Sequence, residues 1–386
     1  MRTVYFDHAA TTPVDPSVLE AMRPYLTEEY GNPSELHRLG REARRAVDAA
    51  RAAVAAALNA GEREIVFTSG GTEADNLALF GCLEGLEPGH LMVSAVEHPA
   101  VLEPAKALAR RGWAVDVVPV DRDGLVDVEA YEGAFRADTR LVSIMLANNV
   151  VGTIEPVSEL ARIAHEHGAL FHTDAVQAVG SVPVDVEALG VDMLSLSGHK
   201  LYGPKGVGAL YVRRGTRLSP LVHGGGQERR LRSGTENVPG IVGLGAAIAL
   251  AVDGLAERGA HLAALRDRLV DGVLAAVPEV TRLGHTTQRL PGNAAFAVSY
   301  VEGEAMLLRL DQAGIMVSSG SACASGSLEP SHVILALGYR PEEAHGSVRV
   351  TLGRENTEDE VDYFLEVFPG IVRTLRAMSP LYRGGA

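Results

Sequence analysis

One lysine stands where a lysine is out of character. Residues Leu196 to Gly208 read Leu-Ser-Gly-His-Lys-Leu-Tyr-Gly-Pro-Lys-Gly-Val-Gly, and the run Asp192–Ser197 leading into them reads as a buried strand. Lys200 sits at its end, just before the break at Gly203-Pro204. An ammonium loses hydration there unless it is paired or neutralised. A lysine amine so placed can form a Schiff base with an aldehyde cofactor, of which pyridoxal 5′-phosphate is the usual one. A lone lysine after a strand is otherwise an ordinary surface residue, so this reading depends on its companions.

Such a cofactor needs an anion at its ring nitrogen and a cradle for its phosphate. Asp174 ends the apolar strand Ala169–Asp174. A buried carboxylate there is stable when a charged N–H faces it, and a pyridinium supplies one. Without Lys200 downstream, Asp174 reads equally well as the cap of a following helix. Strand Glu64–Thr68, the turn Ser69-Gly-Gly-Thr72 and a helix to about Leu86 make a strand, a glycine turn and a helix N-terminus, which favour an anion. A plain βα turn has the same pattern. No Gly-x-x-x-x-Gly-Lys-Ser/Thr occurs, which argues against a nucleoside triphosphatase.

The two cysteines differ. Ser318 to Ser327 is almost wholly small residues, so a loop with little to anchor it is expected around Cys323, free to carry a thiolate to a cofactor and away again. Cys82 has Leu77, Leu79, Phe80 and Leu83 around it on a helix and reads as inert core. His165 and His167 fall on opposite faces of a helix end and read as a solvated face, so no metal is expected.

Alternating elements must position these groups. Strands are expected at Glu64–Thr68, Leu91–Ala95, Ala114–Val118, Leu141–Ala147, Leu170–Asp174 and Asp192–Ser197. Helices are expected at Ser17–Leu26, Gly40–Leu58, Thr72–Leu86, Val101–Arg111, Val128–Phe135 and Val157–His167. This α/β alternation implies a mostly parallel sheet covered on both faces, with functional residues just beyond the carboxyl ends of the strands. The ends of interest are Glu97-His98, Asn148-Asn149, Asp174–Gln177 and Ser197–Lys200. From about Asp253 the pattern changes to a smaller α+β unit completed by the N-terminal strand. The expected division is 14–255 for the large domain, and 1–13 with 256–386 for the small one, which carries the loop at about 318–330.

Composition bounds the partners. The chain has 386 residues and a formal net charge of −14, which argues against nucleic-acid phosphates as the main partner. Gln227–Arg232 is a local basic patch at most. The longest uncharged apolar stretch, Val238–Val252, is shorter than the roughly 18 residues of a membrane span and reads as a buried helix. No apolar leader opens the chain and two cysteines make no disulfide framework, so a reducing, cytoplasmic setting is expected.

In combination, six blocks resemble the cysteine desulfurases, homodimeric fold-type-I pyridoxal-phosphate enzymes of the class V aminotransferase group. They are Thr68-Ser-Gly-Gly-Thr-Glu-Ala-Asp-Asn76, Glu97-His-Pro-Ala-Val101, His172-Thr-Asp-Ala-Val-Gln177, Ser197-Gly-His-Lys-Leu-Tyr-Gly-Pro-Lys-Gly206, Arg232-Ser-Gly-Thr-Glu-Asn237 and Ser318-Ser-Gly-Ser-Ala-Cys-Ala-Ser325. The resemblance implies a large domain with a seven-stranded, mostly parallel sheet. It implies that Lys200 carries the cofactor, that His98 stacks on the ring and relays protons, and that Asp174 and Gln177 hold the ring nitrogen and hydroxyl. Gly71, Thr72, Ser197 and His199 bind phosphate, with the partner subunit's Thr235. Asn149 and Arg349 hold the substrate carboxylate. Cys323 takes sulfur from L-cysteine as a persulfide, leaves L-alanine, and passes the sulfur to an acceptor such as an iron–sulfur scaffold protein. The Ser-Ser-Gly-Ser-Ala-Cys setting resembles the long-loop branch. One departure is Val150-Val151, where the family has Glu after the paired asparagines, and it bears on hydrogen bonding near Asn149.

Two other readings stay open on sequence alone: another pyridoxal-phosphate lyase or transaminase of this fold, such as a selenocysteine lyase, and a non-catalytic scaffold. Loss of Cys323 stops a desulfurase and leaves a transaminase nearly untouched. A chain that stays colourless with the cofactor favours the scaffold.

Overall fold

The computed structural model describes residues 2–320, 330–380 and 382. Twelve strands are described: β1 (Val4–Tyr5), β2 (Ile65–Thr68), β3 (His90–Ser94), β4 (Ala114–Val118), β5 (Thr139–Ser143), β6 (Leu170–Asp174), β7 (Met193–Ser197), β8 (Gly208–Val212), β9 (Val280–Leu283), β10 (Asn293–Val298), β11 (Ile315–Met316) and β12 (Ser347–Thr351). Seven form one sheet in the order β2-β8-β7-β6-β5-β3-β4. Strand β8 runs antiparallel to both neighbours and the other pairs are parallel. Strands β2, β3, β5, β6 and β7 therefore end at the same edge.

The strands are apolar throughout because both faces are covered. On one face the helix Arg38–Leu58 buries Ala43, Val47, Ala50, Val54 and Leu58, the stripe its spacing predicts. Asn59, in the left-handed conformation at φ 56°, closes that helix. On the other face the helix Gly71–Leu83 buries Ala74, Leu77, Ala78 and Cys82. Edge strand β4 is half exposed, in keeping with its mixed composition.

A second core lies around the antiparallel sheet β12-β10-β9 and the parallel pair β1-β11, packed with Phe6, Phe296, Phe364 and Phe368. The N-terminal strand does complete this part of the molecule, pairing Val4 with Ile315. The following segment runs beside β12 through the Asp7–Thr351 bridge and then passes over the large sheet's strand ends.

Some expected elements differ. Helix Ser17–Leu26 is two pieces, Pro16–Met22 and Pro24–Thr27, because Pro24 has no N–H to continue the ladder. Strand Leu141–Ala147 ends at Ser143. Strand β8, which begins at Gly208, has no counterpart among the strands expected from the sequence pattern. A Cβ on Gly208 would lie 2.5 Å from the Leu196 oxygen, so its backbone approaches β7 as only glycine can.

A buried ion pair ties the first helix face to the segment after β8. Arg51 Nη2 donates to Glu228 Oε1 at 2.6 Å and Nη1 to Oε2 at 2.9 Å, while Oε2 also accepts the Phe67 N–H at 2.9 Å. Truncating one partner strands the other charge in a dry site. Glu228→Ala is predicted to lower stability by about 3–5 kcal/mol in denaturant unfolding. An unchanged midpoint and slope would contradict this role.

Candidate active site

The strand ends converge on a cavity of about 300 Å³. It is lined by Ala9, Ala10, Gly71, Thr72, Asp75, His98, Met145, Ala147, Asn149, Asp174, Val176, Gln177, Ser197, His199, Lys200 and Arg349. Each arrives for a topological reason. Strand β2 delivers Gly71 and Thr72, β3 delivers His98, β5 delivers Asn149, β6 delivers Asp174, and β7 delivers Ser197 to Lys200. Arg349 comes from β12 of the other core, where it is 4% exposed.

Lys200 is held by the N-terminal segment. Its Nζ donates to the carbonyls of Ala9 and Ala10, the latter at 2.7 Å. Gln177 Nε2 donates to the Ala9 carbonyl at 2.9 Å. Thr12 donates both its N–H and its hydroxyl to the His199 carbonyl at 3.0 Å, and His199 Nδ1 meets Thr11 Oγ1 at 3.1 Å. Residues 9–12 thus form a strap over the strand end that carries the lysine.

The electrostatics suit a cationic ring. Burial raises the Asp174 carboxyl to about 6, opposed by the Val176 N–H and by Lys200. Burial lowers His98 to about 4, with Lys200 and His332 adding to the effect. Burial likewise lowers His199 to about 4, helped by Lys200 and Lys205. Both imidazoles are neutral at pH 7. His98 Nδ1 accepts the Ala100 N–H at 3.1 Å, which puts the ring proton on Nε2. Asp174 Oδ1 accepts the Val176 N–H at 2.9 Å. A buried carboxylate lining a cavity with that donor suits a protonated ring nitrogen.

The phosphate end fits as well. The cavity opens into a cleft lined by Ser69, Gly70, Gly71, Thr72, Ser197, His199 and Lys205, at the first turn of the helix Gly71–Leu83. Free N–H groups and the helix dipole favour an anion there. A Cβ on Gly71 would lie 2.7 Å from Val176 Cγ2, so a side chain at this position would crowd the wall.

Arg349 is already partly engaged. Its Nη2 donates to Asp7 Oδ1 at 2.8 Å and its Nη1 to the Asn149 carbonyl at 2.9 Å, while its buried Nε has no hydrogen-bond partner among the described residues. Hydrogen bonding near Asn149 closes without a glutamate: Asn148 Oδ1 accepts the N–H groups of Val150 (2.8 Å) and Val151 (2.9 Å), and its Nδ2 donates to the Val96 carbonyl.

Of the residues singled out in the sequence, Gly71, Thr72, His98, Asn149, Asp174, Gln177, Ser197, His199, Lys200 and Arg349 share this cavity. Thr235 does not line it. Cys323 lies outside the described residues. Cys82 is core, and burial pushes its thiol up. No group of three metal-ligating side chains occurs among the described residues. His165 is not simply solvated, since its Nε2 meets Asp192 Oδ2 at 2.8 Å, and His167 stacks on Phe135. Sequence reasoning missed Ala9, Ala10 and Asp75. The alanines act through backbone carbonyls, and Asp75, in the first turns of a helix, reads as an ordinary dipole partner.

Comparisons with known proteins cover nearly the whole chain. Residues 4–364 match the aminotransferase class-V family. The "Cysteine desulfurase IscS" of Dictyoglomus turgidum is 51% identical over 98% of this chain and 97% of its own length. A solved "NIFS-LIKE PROTEIN" superposes with a TM-score of 0.91 at 42% identity, covering 97% of this chain and all of that one. Another, described as "SspA in complex with cysteine", has a TM-score of 0.81 at 36% identity, covering 92% of this chain and all of that one. With a half-buried lysine at a strand end, an acid in the same cavity and likeness to these proteins over nearly the whole length, the chain belongs to the cysteine desulfurases of the class V aminotransferase family.

Proposed function

We propose that the protein is a cysteine desulfurase that converts L-cysteine to L-alanine and carries the sulfur as a persulfide on Cys323. The supporting observation is the meeting of Lys200, Asp174, His98 and Arg349 in one cavity, in a chain with full-length likeness to cysteine desulfurases. Pyridoxal 5′-phosphate is the family's cofactor. When bound, it supplies an electron sink for the pair left behind at the substrate α-carbon. Lys200 would hold it by Nζ, Asp174 by its ring nitrogen, Gln177 by its ring hydroxyl and His98 by its face. Gly71, Thr72, Ser197 and His199 would hold its phosphate, with the partner subunit's Thr235.

The chain's own groups then divide the work. Arg349 and Asn149 orient the substrate carboxylate, a planar guanidinium suiting it bidentately. Lys200 Nζ takes the α-proton. Neutral His98, with its proton on Nε2, relays protons. The Cys323 thiolate attacks the substrate sulfur and the C–S bond breaks. Cysteine plus the Cys323 thiol become alanine plus the Cys323 persulfide, which balances without an external oxidant. The sulfur then passes to an acceptor protein, such as one that assembles iron–sulfur clusters. A homodimer, a cytoplasmic site of action and the division at 14–255 against 1–13 with 256–386 complete the reading.

The cofactor-loaded protein with L-cysteine and a thiol reductant is predicted to release alanine and sulfide in equal amounts. Cys323→Ala is predicted to stop both while keeping the cofactor's absorbance. Undiminished alanine from that variant would reassign the protein to another reaction of the same cofactor. Arg349→Ala removes one side of a buried charge contact and is predicted to raise KM for L-cysteine by roughly 30-fold or more, with cofactor affinity unchanged. A variant with native KM would remove Arg349 from the substrate site.

A further inference from the structure

Asp75 is a second acid in the cofactor cavity, and the roles above do not use it. It lies one turn along the helix Gly71–Leu83, 1% exposed. Neither of its carboxyl oxygens has a partner at normal hydrogen-bond geometry among the described residues, and the Ser195 hydroxyl is near enough only to oppose the effect of burial in part. The nearest cationic candidate, His172 Nε2, is 3.6 Å from Oδ1, too far for a hydrogen bond. That imidazole is already engaged on both nitrogens, Nε2 with Ser195 Oγ at 2.9 Å and Nδ1 with Ser143 Oγ at 2.8 Å. A carboxylate left without donors in a dry site is strongly unfavourable. A neutral carboxylic acid needs only one acceptor for its proton.

The topology brings one candidate acceptor, Asp174, to the same cavity. His172 and Asp174 are two residues apart on β6 and share a face of the sheet. Ser195 is the register partner of Asp174 on β7. The helix carrying Asp75 packs over this polar stripe, and Asp75 and Asp174 both line the cavity.

We propose that Asp75 is a positioning residue, held as a neutral acid that keeps its proton and donates it in a hydrogen bond to the Asp174 carboxylate, so that Asp174 stays ionised and oriented toward the cofactor. The inference rests on the assignment of Asp174 to the ring nitrogen. Burial first, and then the charge of Asp174, push the Asp75 carboxyl well above the usual range; the Ser195 hydroxyl pulls the other way and Glu97 adds to the rise. The other titratable groups of the neighbourhood do not offer a counter-charge: His172 is pushed down to about 3 and His98 to about 4, both by burial first, and Glu97 is itself raised by burial. Lys200 faces Asp174, whose carboxyl it lowers.

The test uses full-length Asp75→Asn, Asp75→Ala and Asp174→Asn. Cofactor-free protein is titrated with pyridoxal 5′-phosphate, and infrared difference spectra of native protein against Asp75→Asn are taken at pH 8. An amide N–H replaces the acid's O–H, so Asp75→Asn is expected to bind the cofactor within about threefold of native. Asp75→Ala is expected to bind about tenfold more weakly, the size of one hydrogen bond to a charged group. The native spectrum is expected to show a protonated-carboxyl C=O band that Asp75→Asn lacks. Absence of that band from the difference spectrum overturns the proposal, and native against Asp75→Ala gives the same readout if the Asn variant fails to fold. An Asn variant as weak as Ala, or an Ala variant as tight as native, overturns it too. If Asp174→Asn binds as tightly as native, the ring-nitrogen assignment fails separately.

Discussion

An amine at the end of a buried strand constrains everything around it. Lys200 leaves β7 where hydration is poor, and the Ala9 and Ala10 carbonyls hold its Nζ. The acid, the imidazoles and the phosphate cradle must reach the same point, so their strands must end at one edge. Parallel pairing of β3, β5, β6 and β7 does this directly. Strand β2 joins them only because β8 returns antiparallel between it and β7. The second core contributes from outside that sheet, through Arg349 on β12 and the strap at residues 9–12.

The same burial sets the protonation states. Two imidazoles beside Lys200 are driven neutral, so they add no positive charge to the cavity. The acids respond in the opposite sense: Asp174 rises to about 6, and burial pushes Asp75 and Glu97 well above the usual carboxylate range. Glu97 keeps one oxygen satisfied by the Ser94 hydroxyl and the Met145 N–H, and its backbone carbonyl meets His332 Nε2 at 2.9 Å. It braces the strand end from which His98 projects. The result is a pocket whose one readily ionised acid is Asp174, the arrangement a cationic ring requires.

Much of this was legible in the sequence, for physical reasons that vary by residue. Lys200 and Asp174 announced themselves by ending apolar strands. The glycine turn at 69–72 read as an anion cradle because it leads from a strand into a helix N-terminus, and in the structure Gly71 lies close against Val176. Other features had no side-chain signal. Ala9 and Ala10 act through carbonyls. Strand β8 opens on a glycine, and nothing in an acid near a helix start distinguishes Asp75, whose two oxygens are buried. At Val150-Val151, where the family pattern has a glutamate, Asn148 closes the turn with its own side chain.

The central claim is that Lys200 carries the cofactor, and the composition makes it testable. The chain has three lysines, Lys106, Lys200 and Lys205. Lys106 pairs with Glu103 on the surface, and Lys205 lines the outer cleft. Borohydride reduction of the cofactor-loaded protein, followed by peptide mapping in a mass spectrometer, reports which amine is bonded. The account predicts a reduced cofactor adduct on Lys200 alone. An adduct on Lys106 or Lys205 with Lys200 unmodified would contradict it.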